Sequence, residues 1–257
     1  MKKYLLILSA LLCSTMAYSQ DTPDLSYENR LDIGLKTGLN STWIVTNNDL
    51  PNNDHRNHKL TIKPLGGVSL GYKFTENASL MLEGFYSRQG AKFDLTTAND
   101  GKGETIGEKE IKLDYLVVPL LIKYTGTGET RFAFQFGGQI AFLLKGSEVN
   151  TYDREFTVAD SPLGSNRSFT PGTYTLASTD KSQSAGRFNK KDFNVVADIG
   201  MERELSESTY ISLGLRMVYG FKDIRTDESI SDMNDIDKYT LRYNVTGGLH
   251  LGIHWLL

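Results

Sequence analysis

Two histidines near the C-terminus, His250 and His254, are the first residues whose type and spacing suggest chemistry. Imidazoles four apart on a strand share a face but stand about 13 Å apart at 3.3 Å per residue. That separation excludes joint ligation of one metal without other strands, so hydrogen bonding inside the fold is the expected role. A second cluster, Asp49-Leu-Pro-Asn-Asn-Asp54-His55-Arg-Asn-His58, gathers oxygen and imidazole groups that could hold a divalent cation, at a spacing that fits no standard motif. A third set, Asp223, Asp227, Glu228, Asp232, Asp235 and Asp237, lacks the central glycine and terminal glutamate of an EF-hand loop and reads as a solvated acidic loop. His-Glu-x-x-His and phosphate-loop glycine patterns are absent. The expectation is a chain without catalytic residues, cofactor or metal.

Composition narrows the setting. Lys+Arg 28 against Asp+Glu 31 gives a net charge of −3, so no basic field points to nucleic acid. Gly 24, Tyr 13 and Phe 12 against Pro 6 make the chain glycine- and aromatic-rich without the composition of a disordered protein. Lys2 and Lys3 precede a short apolar run, Leu5 to Leu12, and Ala17 and Ser19 sit three and one residues before a cut preceding Gln20. This is the pattern of an export signal over residues 1–19. The run is shorter than the roughly 20 residues of a permanent helical span. Cys13 follows Leu12 rather than the small residue a lipid-attachment cysteine wants, and its removal with the signal leaves a mature chain without cysteine.

The elements that would position these residues are strands. From Leu60 to Phe74 the even positions are mostly apolar and the odd ones polar or glycine, which is the period of a strand with two different faces. The pattern recurs from Phe132 to Lys145 and from Leu241 to Trp255. Read throughout, it yields eight strands near 31–45, 60–74, 78–93, 110–125, 131–145, 191–205, 209–221 and 240–256. These run about 13–16 residues, against 5–6 in an ordinary soluble sheet, and a tilted membrane strand needs about 9–11 for the hydrocarbon alone. In the fourth, Leu116, Val118, Leu120, Ile122 and Tyr124 are assigned outward because that aims Lys123 inward.

The links between strands alternate strictly in length. Thr75–Asn77, Gly126–Thr130 and Ser206–Ser208 are short; Thr46–Lys59, Asp94–Lys109, Gly146–Lys190 and Lys222–Tyr239 are long and polar. The expected fold is therefore all-β, an eight-stranded antiparallel up-and-down transmembrane β-barrel with short periplasmic turns and long extracellular loops. It would occupy residues 31–257 after a periplasmic segment at 20–30. The link at 146–190 is long enough to contain a surface hairpin, expected near Phe169–Leu176, or to be partly mobile.

An eight-stranded barrel is just wide enough inside for its own side chains. The inward set is Lys36, Lys63, Lys73, Glu83, Lys123, Gln135, Gln139, Asp198, Glu202, Arg216, Arg242, His250 and His254. Within it, Lys36, Glu83, Lys123, Asp198, Glu202, Arg216, His250 and His254 are expected to form a polar network that closes the lumen, with Arg216 and Lys36 near Asp198, Glu202 and Glu83. Tyr72, Phe74, Phe132, Tyr210, Tyr219, Phe221, Tyr243 and Trp255 are expected outside, as interfacial girdles.

The segments LDIGLKTGLN (31–40), LGYKFTENASLMLEGFYSRQGAKFD (70–94), LDYLVVPLLIKY (113–124), FQFGGQIAFLLKG (134–146) and DIGMERELSESTYISLGLRMVYGFKDI (198–224) resemble the PorT-like outer-membrane β-barrel family common in Bacteroidetes. The fourth strand departs from that family's pattern, which often has a glutamate where Val117 stands. The resemblance implies the barrel and its strand order, and PorT itself is associated with type IX secretion. The reading from the residues is an integral, monomeric, non-enzymatic barrel surrounded by outer-membrane lipids and lipopolysaccharide. Such a barrel would offer loops 146–190 and 222–239 to a protein partner or serve envelope integrity. An accessory role in a secretion or transport machine is one alternative. A lipid-modifying enzyme is another, although such enzymes place Ser, His and an acid at the lipid face, whereas His250 and His254 point to the lumen.

Overall fold

Residues that alternate in polarity can meet two environments at once only as strands, and eight of them here close into a ring. The computed structural model describes residues 30–46, 56–96, 103–160, 165–178, 188–227 and 242–257. In chain order the strands are β1 (Arg30–Thr46), β2 (Arg56–Lys59), β3 (Ile62–Lys73), β4 (Ala78–Thr96), β5 (Thr105–Thr125) and β6 (Thr130–Tyr152). They continue with β7 (Phe156–Asp160), β8 (Ser165–Phe169), β9 (Gly172–Ser178), β10 (Lys191–Ser206), β11 (Thr209–Gly220) and β12 (Arg242–Leu256). The ring runs β1-β3-β4-β5-β6-β10-β11-β12, antiparallel throughout, and β12 returns to β1 with Asp32 opposite Leu256 and Thr46 opposite Arg242. Closure leaves the ring without a free edge, which a sheet in lipid requires because no water there can satisfy unpaired backbone groups. The export signal and the segment before Arg30 lie outside the described residues.

The outer surface is a band of exposed apolar side chains. Leu35, Leu120, Phe136, Leu215 and Leu251 are each more than half exposed, on five different strands. A soluble monomer rarely exposes a contiguous apolar patch beyond a few hundred Å²; a bilayer turns the same surface into buried area. Leu116, Leu120, Ile122 and Tyr124 face outward and Lys123 inward, as the placement of the fourth strand anticipates. Tyr72, Phe74, Phe132, Tyr219, Phe221 and Trp255 are exposed near strand ends, where their rings suit the membrane interfaces.

Three strands outrun the band. Beyond Tyr86 the outward positions of β4 turn charged, with Arg88, Lys92 and Asp94, and those of β5 before Leu116 are Glu108, Glu110, Lys112 and Asp114. At that level stands Gly90, whose φ of 125° favours glycine and where a Cβ would lie 1.9 Å from the Ile111 carbonyl oxygen. A register shift between Asp114 and Tyr115 marks the same level on β5 and β6. Above it β2 pairs with β4 and β9 with β6, so a five-stranded ribbon, β2-β4-β5-β6-β9, stands over the ring. This corrects the reading of the third long link. Its first residues prolong β6 to Tyr152, Phe156–Asp160 pairs with Ser165–Phe169, and Gly172–Ser178 docks on β6 instead of forming a hairpin near Phe169–Leu176. Polar serines, threonines and asparagines concealed the strands, since backbone pairing there needs little apolar signal.

Candidate functional site

The lumen is where the chain concentrates its chemistry, and it is stratified. At the periplasmic end Asp32, on β1, accepts from the Tyr210 hydroxyl and meets His254 Nδ1 at 3.0 Å. His254 Nε2 lies 3.1 Å from the Ser212 hydroxyl, and its ring stacks on Tyr210 with centroids 4.4 Å apart. Lys123 donates to the Tyr210 hydroxyl at 2.9 Å, pairs with Glu202 and stands 3.8 Å from Asp32. Arg131 pairs with Glu202 at 3.2 Å and with Glu204 at the rim.

One layer up, Glu83 on β4 takes Lys36 from β1 and Arg216 from β11, the latter at 2.6 Å. Arg216 also holds Asp198 at 2.9 Å, and His250 Nε2 meets the same carboxylate at 2.7 Å. Five strands thus share one buried cluster, β1, β4, β10, β11 and β12, each ion supplied with at least one opposite partner, as burial demands. Above it lies a neutral layer in which Gln89 donates to Ser87 at 3.1 Å and Asn244 donates to Gln89. A cavity of about 30 Å³ separates these two layers, lined among others by Asn40, Gln139, Arg216 and His250. It has room for a water or two, not a solute path.

The loop-side half is apolar. Ile44, Phe85, Phe93, Ile111, Leu113, Tyr115 and Val117 form one buried cluster, and Phe188 and Ile224 enter it from the long links. Val117, where the resembled family often carries glutamate, is 4% exposed in this plug. Over it sits a second ion cluster, Glu148 with Lys109 and with Arg242 at 3.0 Å. Burial alone would raise the Glu148 carboxyl, but Lys109 and Arg242 hold it down at about 2.

Of the residues named from the sequence, Lys36, Glu83, Asp198, Arg216 and His250 come together in the central cluster, while Lys123, Glu202 and His254 belong to the periplasmic one. Glu202 is therefore not a partner of Arg216; it lies four residues along β10 from Asp198, toward the turn. Gln135 and Gln139 are buried inside, whereas Lys63 is half-buried and reaches Glu110 at 3.9 Å outside the lumen layers. Lys73 is half-buried at the periplasmic rim. Tyr210 corrects the girdle assignment: it is 2% exposed and faces the lumen. Parity decides it, because Tyr210 and Ser212 fall on the same face of β11 as the inward Arg216. Asp32 shares the face of Lys36 by the same rule, and Lys109 and Glu148 were hidden because the polar ends of β5 and β6 read as loop.

Asp32, His254 and Ser212 reproduce the order carboxylate, imidazole, hydroxyl of a hydrolase triad. Their setting is closed: Ser212 is 9% exposed, and the Lys36 stem and the His254 ring crowd the space over Gly252 beside it. In this arrangement the carboxylate and hydroxyl orient the imidazole. Of the loop clusters considered for cations, residues 47–55 and 228–241 lie outside the described residues, His58 packs on Phe93 with centroids 4.4 Å apart, and Asp223 pairs with Arg225 at 3.0 Å. Among the described residues no group of three or more His, Cys, Asp or Glu side chains is placed to hold a metal.

A profile of the family described as outer membrane protein beta-barrel domain matches residues 18–225. No curated protein matches the chain. Among solved structures, the outer membrane protein OprG from Pseudomonas aeruginosa aligns with a TM-score of 0.46 at 9% identity, covering 90% of this chain and 97% of that one. Neisserial surface protein A aligns at 0.40 and 8% identity over 88% and 96% of the two chains. The outer membrane protease OmpT from Escherichia coli aligns at 0.43 and 10% identity over 93% and 100%.

Proposed function

The chain belongs to the outer membrane protein beta-barrel domain family, and from that premise we propose a non-conducting, non-enzymatic barrel that presents a rigid extracellular ribbon to a protein partner. The supporting observation is the length of β5 and β6, 21 and 23 residues. At about 3.3 Å per residue such strands run some 70 Å, well beyond the roughly 42 Å needed to cross a 30 Å hydrocarbon core at 45°. A lumen filled by ion clusters and an apolar plug needs no such height. The ribbon's outer face carries both signs of charge, with Lys59 2.6 Å from both Asp94 and Glu108, and Lys112 3.0 Å from Glu110. That face is soluble and structured, the condition for recognition without folding on contact. Lipids and lipopolysaccharide surround the apolar band, and partner contact falls on the 146–190 segment and on loop 222–239.

Deleting 156–178 removes β7, β8 and β9 yet spares buried Tyr152 and Phe188. The expected outcome is an intact heat-modifiable barrel that no longer captures its surface partner; unchanged capture would refute display by this segment. On the same reading residues 1–19 are the export leader, and N-terminal sequencing of the mature protein should begin at Gln20. A place in a secretion machine, which the PorT-like resemblance implies, differs measurably, because gene deletion would then retain secreted cargo in the periplasm.

A hydrolytic reading has one observation in its favour, the Asp32–His254–Ser212 alignment. It faces the lumen while the membrane lipids lie on the other side of the wall. Labelling of the folded protein by a fluorophosphonate, abolished in Ser212→Ala, would establish it; absence of labelling leaves the triad a positioning device.

A further inference from the structure

Toward the loops the apolar band ends in two different ways. On β1, β11 and β12 its outward faces finish on Trp43, Val45, Tyr219 and Tyr243, none of which carries a charge. Aromatic rings at that level are the ordinary finish of a membrane wall. On β4, β5 and β6 the last apolar outward row is Tyr86, Leu116 and Phe142, paired across the strands, and the next is Arg88, Asp114 and Lys145. Lys112 follows two residues along β5, opposite Gly90, and Lys92 lies two beyond Gly90 on β4, opposite Glu110.

Cations outnumber their partners on this wall. Glu110 receives Lys112 at 3.0 Å, with Lys92 at 3.7 Å and Lys63 at 3.9 Å. One carboxylate cannot hold three ammonium groups at hydrogen-bond distance, and two of these lie beyond it. Arg88 stands 3.9 Å from Asp114, and its Nε reaches the Tyr86 hydroxyl only at 3.4 Å. Five cations, Lys63, Arg88, Lys92, Lys112 and Lys145, thus face two carboxylates. The row above is the reverse, since Lys59 lies 2.6 Å from both Asp94 and Glu108; with it included the cations still lead by six to four. The side chains of Arg88, Lys92 and Lys112 are each more than 40% exposed, so they can turn to a ligand.

Height selects the anion that can reach them. Tyr86 and Leu116 are exposed to the lipid side. Two residues of strand tilted at 45° rise about 5 Å, and the headgroup layer outside the hydrocarbon is roughly 5–8 Å deep. Arg88 and Lys145 therefore fall inside that layer. Lys112 falls near its outer limit, and a lysine stem can lie back along apolar surface.

We propose that Arg88, Lys92, Lys112 and Lys145, with Lys63 beside them, bind the phosphate groups of a lipid in the surrounding leaflet and fix its head against the β4–β5–β6 wall. This rests on the reading of the chain as a lipid-embedded barrel whose long strands emerge on the outer side. The Arg88 fork suits two oxygens of one phosphate, while the ammonium groups act as point charges on flexible stems. A phosphomonoester carries about 1.5–2 negative charges. The excess of cations therefore suits a head with one or two such groups, as in the lipid A part of lipopolysaccharide, better than a zwitterionic phospholipid.

The test is titration of fluorescent diphosphoryl lipid A against the full mature chain folded in dodecyl maltoside micelles, read by anisotropy at low and high NaCl. The same lipid with both phosphates removed is the control. Wild type should bind the phosphorylated lipid at least about tenfold more tightly than the control, with the preference shrinking in salt. Each cation near an anionic surface changes affinity by about fivefold, so the triple variant Arg88→Gln, Lys92→Gln, Lys112→Gln should lose at least about twentyfold while remaining heat-modifiable. Glu110→Gln should tighten binding by about two- to fivefold, a gain that misfolding cannot produce, so it carries the test if the triple variant does not fold. Affinity of the folded triple variant equal to wild type, or a wild type indifferent to the phosphates, would overturn the proposal. A poly-glutamate peptide bound more tightly than the lipid would assign these cations to an acidic protein and would also overturn it. Display by the 146–190 segment is scored apart, because deleting 156–178 leaves all five cations in place.

Discussion

Toward the periplasm the lumen sets Lys36, Lys123, Arg131 and Arg216 against Asp32, Glu83, Asp198 and Glu202; toward the loops it holds Ile111, Leu113, Tyr115, Val117 and Phe188 under the Lys109–Glu148–Arg242 cluster. The two halves share one wall of strands but are filled by opposite means. The ionic half draws each partner from a different strand: Glu83 of β4 needs both β1 and β11 in register. A two-residue slip of any of them would keep the faces correct yet strand a charge in the interior, so pairing specifies what alternation alone leaves free. The apolar half is less particular about partners and can accept side chains from outside the ring. That is how Phe188 and Ile224 close it from the long links.

The sharpest way to break this contrast is to remove one ion from the periplasmic half. Glu83→Ala should cost about 3–5 kcal/mol in urea unfolding, because Lys36 and Arg216 lose their shared buried counter-charge. A loss below about 1 kcal/mol would mean that pairing does not organise this half. Replacing Glu83 and Arg216 together by methionine should recover part of the loss, since it removes one charge of each sign and leaves Lys36 to balance Asp198 instead of an excess buried cation.

Leu113→Ala probes the other half. The side chain is fully buried in the plug, and its truncation should cost about 3 kcal/mol through lost transfer energy and a residual cavity. Bilayer conductance should stay at baseline, because the ionic layers below remain closed; current through this variant would show that the plug is the sole seal.

The upper ion cluster gives a pH signature. The Glu148 carboxyl is held at about 2 against an ordinary 4.5, so the stability it contributes is full above about 4.5 and drains away as pH falls toward 2. Wild type should lose roughly 3 kcal/mol more than Glu148→Gln across that window. Superposable stability–pH curves would remove the ion pair from the account.

The smallest effect belongs outside the barrel. Lys59→Ala breaks exposed pairs to Asp94 and Glu108 and should change stability by less than about 1 kcal/mol, with the difference vanishing in high salt.

Much of the ring was legible because its signal is strict. Two environments separated by one backbone force period-two alternation, and the chain shows it close to the observed strand limits except at the loop-side ends of β5 and β6. The same parity carries the inward face: Lys36, Glu83, Asp198, Arg216 and His250 lie there, and applied consistently it places Asp32, Tyr210 and Ser212 there as well. Tyr210 escaped because aromatic character near a strand end suggested an interface, a statistical cue that the parity of β11 overrules. The strand ends beyond the bilayer were not legible, since in water a ribbon such as Lys109 to Asp114 or Ser147 to Tyr152 has no need to be apolar.

From sequence alone, then, this protein is an outer-membrane β-barrel whose strands separate an inward from an outward face, because lipid and lumen impose opposite chemistry on alternate residues. Only the tertiary structure decides which charges meet: His250 with Asp198 but His254 with Asp32, Glu202 with Lys123 and not Arg216. Those choices depend on the stagger of eight strands around a closed ring, a quantity that no single strand encodes and that hydrogen-bond register sets only when all of them are paired.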